Sequence, residues 1–231
     1  MDWCAIETVL LDMDGTLLDL YFDSYLWKQH LPLRYAERHG IDVESAKREI
    51  VPKIKAKEGS LQWYCLDYWT CELGVDISFL EREVGHLIAL RPHVTEFLDF
   101  LRRRELQVAL TTNAHRRSLD HKLARTGLTD YFDAIVSSHD FGIPKEERGF
   151  WQRLHTQVDY DPATTLLIDD NPNVLRAALA YGIQHLRGIA LPDSRAAPRR
   201  HDDFLVIESF LDLLPQAGLD TTVGQVADST P

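Results

Sequence analysis

Ile6-Glu7-Thr8-Val9-Leu10-Leu11 runs directly into Asp12-Met13-Asp14-Gly15-Thr16. The first part is short, β-branched and apolar on both faces, which is how a strand buried inside a sheet reads. The second part is a polar turn, with two carboxylates one residue apart and then a glycine that permits a tight bend with backbone N–H groups exposed. A buried strand ending in such a turn suits an open α/β sheet, where ligands gather at the carboxyl ends of the strands.

Outward from this strand the texture changes twice. From Tyr21 to about Leu90, aromatic and charged residues recur at helical spacing, as in Trp27, Leu31 and Tyr35 and again between Leu61 and Leu73, with no convincing strand. After Arg91-Pro92, helices alternate with short apolar runs. The pattern predicts a helix over 92–104, a strand over 107–111, a helix near 116–126 closed by Gly127, and a short strand over 134–136. It continues with a helix at about 146–157, a turn at Asp161-Pro162, a strand over 165–168, a loop through Asp169-Asp170-Asn171-Pro172 into a helix that Gly182 ends, and a strand over 183–186.

Such alternation implies βαβ crossovers, so the expected fold is α/β, a doubly wound, Rossmann-like parallel sheet with an inserted α-helical cap. Residues 1–20 and 91–214 form the expected core, 21–90 the cap, and 215–231, rich in Gly, Thr, Ala and Asp, a loosely ordered tail.

The chain has 231 residues, 45% hydrophobic and 26% charged, which leaves little room for disordered, collagen-like or repeat classes. Its 25 Lys and Arg against 36 Asp and Glu give a net charge of −11, which argues against nucleic acid or an acidic membrane as partner. Three cysteines, Cys4, Cys65 and Cys71, make no disulfide framework, and none stands in a paired spacing that suggests zinc. With no apolar leader and no membrane-length run, the expected setting is the cytoplasm. An anionic substrate would need a local solution: a bound cation and a few placed basic groups that reverse the general field near the site.

The expected strands end at Asp12, Thr112, the 137–145 loop and Asp169, which a doubly wound sheet brings to one rim. Asp12, Asp14, Asp169 and Asp170 would repel one another there unless protonated or bound to a cation. Oxygen ligands without Cys or His in the motif favour Mg²⁺.

Together, Asp12-Met13-Asp14-Gly15-Thr16-Leu17, Thr112-Asn113, Pro144-Lys145 and Asp169-Asp170 resemble the four ordered motifs of the haloacid dehalogenase-like hydrolases. The resemblance covers about 1–20 and 91–210, and the helical insert resembles the cap that the family calls type C1. It implies that Asp12 is a nucleophile forming an aspartyl-phosphate and that Asp14 is the general acid and base. It implies Mg²⁺ held by the Asp12 side chain, the Asp14 backbone carbonyl and Asp169. Thr112, Asn113 and Lys145 would hold the phosphate oxygens, with Lys145 also keeping Asp12 ionised. Asp170 would touch the metal directly, support one of its ligands, orient Lys145, or cap the helix near Pro172. Glu146-Glu147 stand where many relatives have Pro after the lysine, and fit the first turn of a helix. An acid at Asp14, which dehalogenating relatives lack, points to phosphatase chemistry.

The stretch Leu61-Gln62-Trp63-Tyr64-Cys65-Leu66-Asp67-Tyr68-Trp69 holds four aromatics that would stack a base or, more simply, fill a small helical core. With Tyr21, Phe22 and Asp23 it resembles the corresponding region of the purine nucleoside monophosphate (GMP/IMP) nucleotidases of the C1 group. That resemblance implies a small phosphorylated substrate, a purine nucleoside monophosphate, with Gln62 or Asp67 available for the base edge. A sugar-phosphate or phosphoglycolate phosphatase would use the same catalytic residues, and a non-catalytic phosphate-dependent regulator is the rival from another class. His115 near a helix start is placed for anion contact, whereas Arg116, Arg117, Arg102-Arg103-Arg104 and Arg199-Arg200-His201 read as surface.

Overall fold

The computed structural model describes residues 1–198 and 203–215. The expected tail, apart from Pro215, and the Arg199-Arg200-His201 cluster lie outside the described residues. The first strand, β1, is Thr8–Leu11. Five helices follow: α1 (Tyr21–Tyr25), α2 (Leu31–His39), α3 (Val43–Lys55), α4 (Leu66–Leu73) and α5 (Ile77–Glu83). The rest alternates as α6 (Val94–Arg103), β2 (Gln107–Thr112), α7 (Arg116–Thr126), β3 (Ala134–Ser137), α8 (Arg148–Leu154), β4 (Thr165–Ile168), α9 (Pro172–Tyr181), β5 (His185–Ile189) and β6 (Val206–Ile207).

Among the described residues the strands form one six-stranded parallel sheet in the order β3-β2-β1-β4-β5-β6. The order reverses direction between β1 and β4, so this is a doubly wound α/β sheet whose crevice opens at their carboxyl ends. Strand β1 reads as a continuous apolar run because both its faces are covered. Val9 and Leu11 pack with Leu110, Ile168, Phe97 and Leu101 on one side, and Leu10 with Ala109, Leu167, Trp151 and Leu175 on the other. The helices over 21–87 carry a separate apolar cluster, in which Phe22, Leu26, Trp69, Leu73, Ile77 and Leu80 are buried together.

The two ends of this helical insert meet. Leu18 bridges Leu90 in antiparallel fashion, Asp19 N–H donates to Ala89 O at 2.9 Å, and Arg91 N–H donates to Leu17 O at 2.9 Å. This pairing fixes the insert directly beyond the turn that follows β1. The next helix falls within the expected 92–104 span: Pro92 and His93 form a turn in which His93 takes a left-handed conformation at φ 65°, and α6 runs from Val94 to Arg103.

Two differences from the sequence pattern have simple causes. The last expected strand, over 183–186, is displaced to His185–Ile189, because Ile183 N–H closes the end of α9 on Ala178 O at 3.1 Å instead of pairing. Apolarity fails at Arg187 and Gly188, yet their backbones continue the ladder. Strand β6 was not expected, since two residues leave no periodicity to read. Among the described residues no helix is long and apolar enough to cross a membrane.

Candidate active site

Strand ladders carry the motif residues to one rim. Asp12 N–H extends the β1 ladder onto Ile168 O at 3.0 Å, and Asp169 N–H extends β4 onto Arg187 O at 3.1 Å. Thr112 ends β2. The loop after β3 returns Lys145, fixed through its own backbone: Lys145 N–H donates to Asn113 Oδ1 at 2.9 Å, and Trp151 Nε1–H to Lys145 O at 2.9 Å.

Lys145 is only 1% exposed, and its ammonium donates to Asp12 Oδ1 at 2.6 Å, Asp169 Oδ2 at 2.7 Å and Thr111 O at 2.9 Å. Three acceptors satisfy all three of its protons. Burial by itself would lower the ammonium's pKa, but Asp12 and Asp169 outweigh it and raise it, so the lysine stays charged. Burial pushes the Asp12 carboxyl above the ordinary range while Lys145 pulls it back, and burial takes Asp169 up to about 7 against the same pull.

Asp12, Asp169 and Asp170, all buried, bring one carboxylate oxygen each within 4.8 Å of one another. Asp12 Oδ2 is buried with no hydrogen-bond partner. A buried carboxylate oxygen left without a donor costs free energy unless something electropositive meets it, and oxygen-only donors suit a hard divalent cation. The residues therefore fit Mg²⁺. Asp170 belongs to this acidic group and does not cap α9, whose N-cap is Asn171, accepting from Asn173 N–H at 2.9 Å.

Gly15 holds the turn together. Its φ is +86°, and a Cβ placed there would lie 2.7 Å from Asp170 Cγ and 2.7 Å from Asp170 Oδ2. The next carboxylate, Asp14, points to a different cation: Lys122 Nζ, in α7, donates to Asp14 Oδ1 at 2.7 Å and to both oxygens of Asp23 at 2.9 and 3.0 Å. Lys122 is 1% exposed. Burial opposes its charge, but Asp14, Asp23 and Glu81 raise its pKa, whereas burial and then Asp14 push Asp23 up to about 7. The signal for Lys122 lay in its spacing: it shares the buried face of α7 with Leu119 and Leu123, where a surface lysine does not belong.

Glu146 departs most from its sequence expectation. Helix α8 starts at Arg148, so Glu146 is not in a first turn, and its carboxylate accepts from Asn113 Nδ2 at 2.9 Å, Asn171 Nδ2 at 3.1 Å and Tyr64 Oη at 2.7 Å. Tyr64 comes from the insert, so Glu146 ties the insert to the Asn113 motif. Of the insert's aromatics, Trp69 is fully buried and donates Nε1–H to Trp63 O at 3.0 Å, while Tyr68 packs edge-on against it. Thr112 is buried, and its Oγ1 accepts from Ala114 N–H at 3.0 Å, which leaves its hydroxyl proton to donate.

His115 stands beside Asp67, Nε2 to Oδ2 3.5 Å, and meets His139 edge-to-face. Asp67 also accepts from Arg117 at 2.8 Å, so this acid bonds to the core. Arg116 is likewise engaged, its Nε donating to Asp140 at 2.8 Å.

A doubly wound sheet with acids after β1 and β4 and a buried lysine between them defines a class of hydrolase. The family model described as haloacid dehalogenase-like hydrolase matches residues 6–182, and the chain belongs to that family. Within it the chain is a phosphatase. It is 37% identical over 213 residues to the GMP/IMP nucleotidase YrfG of Escherichia coli K12, covering 92% of this chain and 96% of that protein. It is 24% identical over 204 residues to the phosphorylated carbohydrates phosphatase of Thermotoga maritima, covering 83% and 89%. The crystal structure of a HAD phosphatase from Thermococcus onnurineus shares the fold with a TM-score of 0.76 at 20% identity, over 90% of this chain and 96% of that one.

Proposed function

We propose that the protein is a Mg²⁺-dependent 5′-nucleotidase that dephosphorylates purine nucleoside monophosphates through an aspartyl-phosphate on Asp12. The observation that carries the chemistry is the Asp12 carboxylate, set at the rim with one oxygen held by Lys145 and the other buried without a partner, so that one is available to phosphorus and one to a cation. The likeness to an enzyme named GMP/IMP nucleotidase supports the substrate class.

In the first step an Asp12 oxygen forms a bond to phosphorus as the ester P–O bond breaks, and Asp14 as the acid gives its proton to the departing nucleoside oxygen. Thr112, Asn113 and Lys145 donate to the phosphoryl oxygens, where charge accumulates. In the second step Asp14 takes a proton from water, the water oxygen bonds to phosphorus, and the P–O bond to Asp12 breaks to release phosphate. Lys122 keeps Asp14 in place through both steps. Asp12, the Asp14 backbone carbonyl and Asp169 would hold Mg²⁺, with Asp170 beside them. That ion, when bound, supplies the positive charge that lets a phosphate dianion approach a carboxylate. The chain is read as a cytoplasmic enzyme acting on a soluble metabolite.

Phosphate release across nucleoside monophosphates, sugar phosphates and phosphoglycolate, with Mg²⁺ and after EDTA, tests the reading. Preference for GMP and IMP with loss of turnover in EDTA is the expected result. Preference for a sugar phosphate or phosphoglycolate would replace the nucleotidase reading, and no turnover of any monoester would leave the regulator.

A further inference from the structure

Cys65, His115 and His139 lie far apart in sequence, with no spacing that marks a metal site, yet the fold brings one ligand atom from each within 4.8 Å of the others. Cys65 precedes α4 in the insert, His115 precedes α7, and His139 lies in the turn after β3. Two parts of the core and one of the insert therefore converge at a point outside the acidic site.

His139 is prepared as a ligand. Its Nε2 is buried with no hydrogen-bond partner. The His115 ring meets that of His139 edge-to-face with centroids 5.0 Å apart. Cys65 Sγ accepts from Tyr68 N–H at 3.4 Å as the N-cap of α4. Asp67 borders the group on the insert side, with Oδ2 3.5 Å from His115 Nε2 and Oδ1 2.8 Å from Arg117 Nη1.

One sulfur and two imidazole nitrogens are the donors of zinc-class ions, and Mg²⁺ does not choose them. We propose that Cys65, His115 and His139 form a binding site for a thiophilic divalent ion of the zinc class, and that occupancy pins the insert to the core. Its neighbours connect it to the chemistry: Cys65 follows Tyr64, which donates to Glu146, and Glu146 also accepts from Asn113. The two metal sites sort ions by chemistry, hard Mg²⁺ on the oxygens and zinc on the mixed sulfur and nitrogen donors. Zinc on the second site slows turnover.

Co²⁺ titration of the reduced, metal-free full-length protein tests this independently of activity, because a thiolate ligand gives cobalt a near-ultraviolet charge-transfer band. The expected result is a band that saturates at one Co²⁺ per chain, is displaced by Zn²⁺, disappears in Cys65→Ser, and survives in Asp12→Asn. His139→Asn should weaken Zn²⁺ binding by about tenfold or more. In Mg²⁺-supported phosphatase assays Zn²⁺ should inhibit the parent enzyme, and Cys65→Ser should require about tenfold more Zn²⁺ for the same inhibition. An absent band, or Zn²⁺ affinity equal in the parent, Cys65→Ser and His139→Asn, would overturn the site. Tight binding with undiminished turnover would overturn the pinning.

Discussion

Asp23→Asn should flatten the pH dependence of stability. Asp23 sits against Lys122 at 2.9 Å with its side chain 22% exposed, and Asp14 and Glu81 add negative charge nearby. Burial, then Asp14, lifts its carboxyl from 3.8 to about 7. A carboxyl with a raised native pKa binds its proton more tightly folded than unfolded. Its stabilisation is therefore complete below the unfolded value and vanishes as pH rises through about 7. Between about pH 5 and pH 8 linkage gives a loss of about 3 kcal/mol, and partial exposure, which lets water screen the charge, reduces this to about 1–3 kcal/mol. Asparagine has no proton to lose, so the variant lacks this component. Urea unfolding in EDTA at both pH values measures it: the parent should lose about 1–3 kcal/mol more than Asp23→Asn on going to the higher pH. Parallel losses would refute the placement of Asp23 in a crowded anionic pocket around Lys122.

Lys145→Met leaves Asp12 and Asp169 facing each other without their cation. It should cost about 3–5 kcal/mol by urea unfolding in EDTA and lower kcat by about a hundredfold or more. In Gly15→Ala a methyl group meets Asp170 at 2.7 Å on a backbone with φ +86°, so stability should fall by about 1–3 kcal/mol and phosphatase activity with it. Tyr64→Phe removes the hydrogen bond between insert and Glu146. It should cost about 1 kcal/mol in urea and lower kcat/KM, whereas unchanged kinetics would detach Glu146 from the site.

What could be read from the sequence depended on whether a signal was local. Strand β1 and its acidic turn are legible because a run covered on both faces is apolar throughout and because the turn follows at once. The shared rim of Asp12, Thr112 and Asp169 follows from strand alternation alone. Lys122 was missed because a lysine is ordinarily a surface residue, and only its place between Leu119 and Leu123 marked it. Glu146 fitted a helix start as well by sequence as it fits a bridge to Tyr64, and the Pro144-Lys145 motif does not say where the helix begins. Cys65, His115 and His139 were invisible as a group, because spacing motifs describe ligands close in sequence and these are joined by the return of the insert onto the core.

The central claim is that Asp12 attacks phosphorus. Acid quenching during turnover of a nucleoside monophosphate, followed by peptide mass spectrometry, tests it most directly. One phosphoryl group should be found on the peptide containing Asp12, labile to hydroxylamine as an acyl phosphate is, and Asp12→Asn should show neither adduct nor turnover. Phosphate release by Asp12→Asn at the parent rate, or a phosphoryl group trapped on another residue, would contradict it.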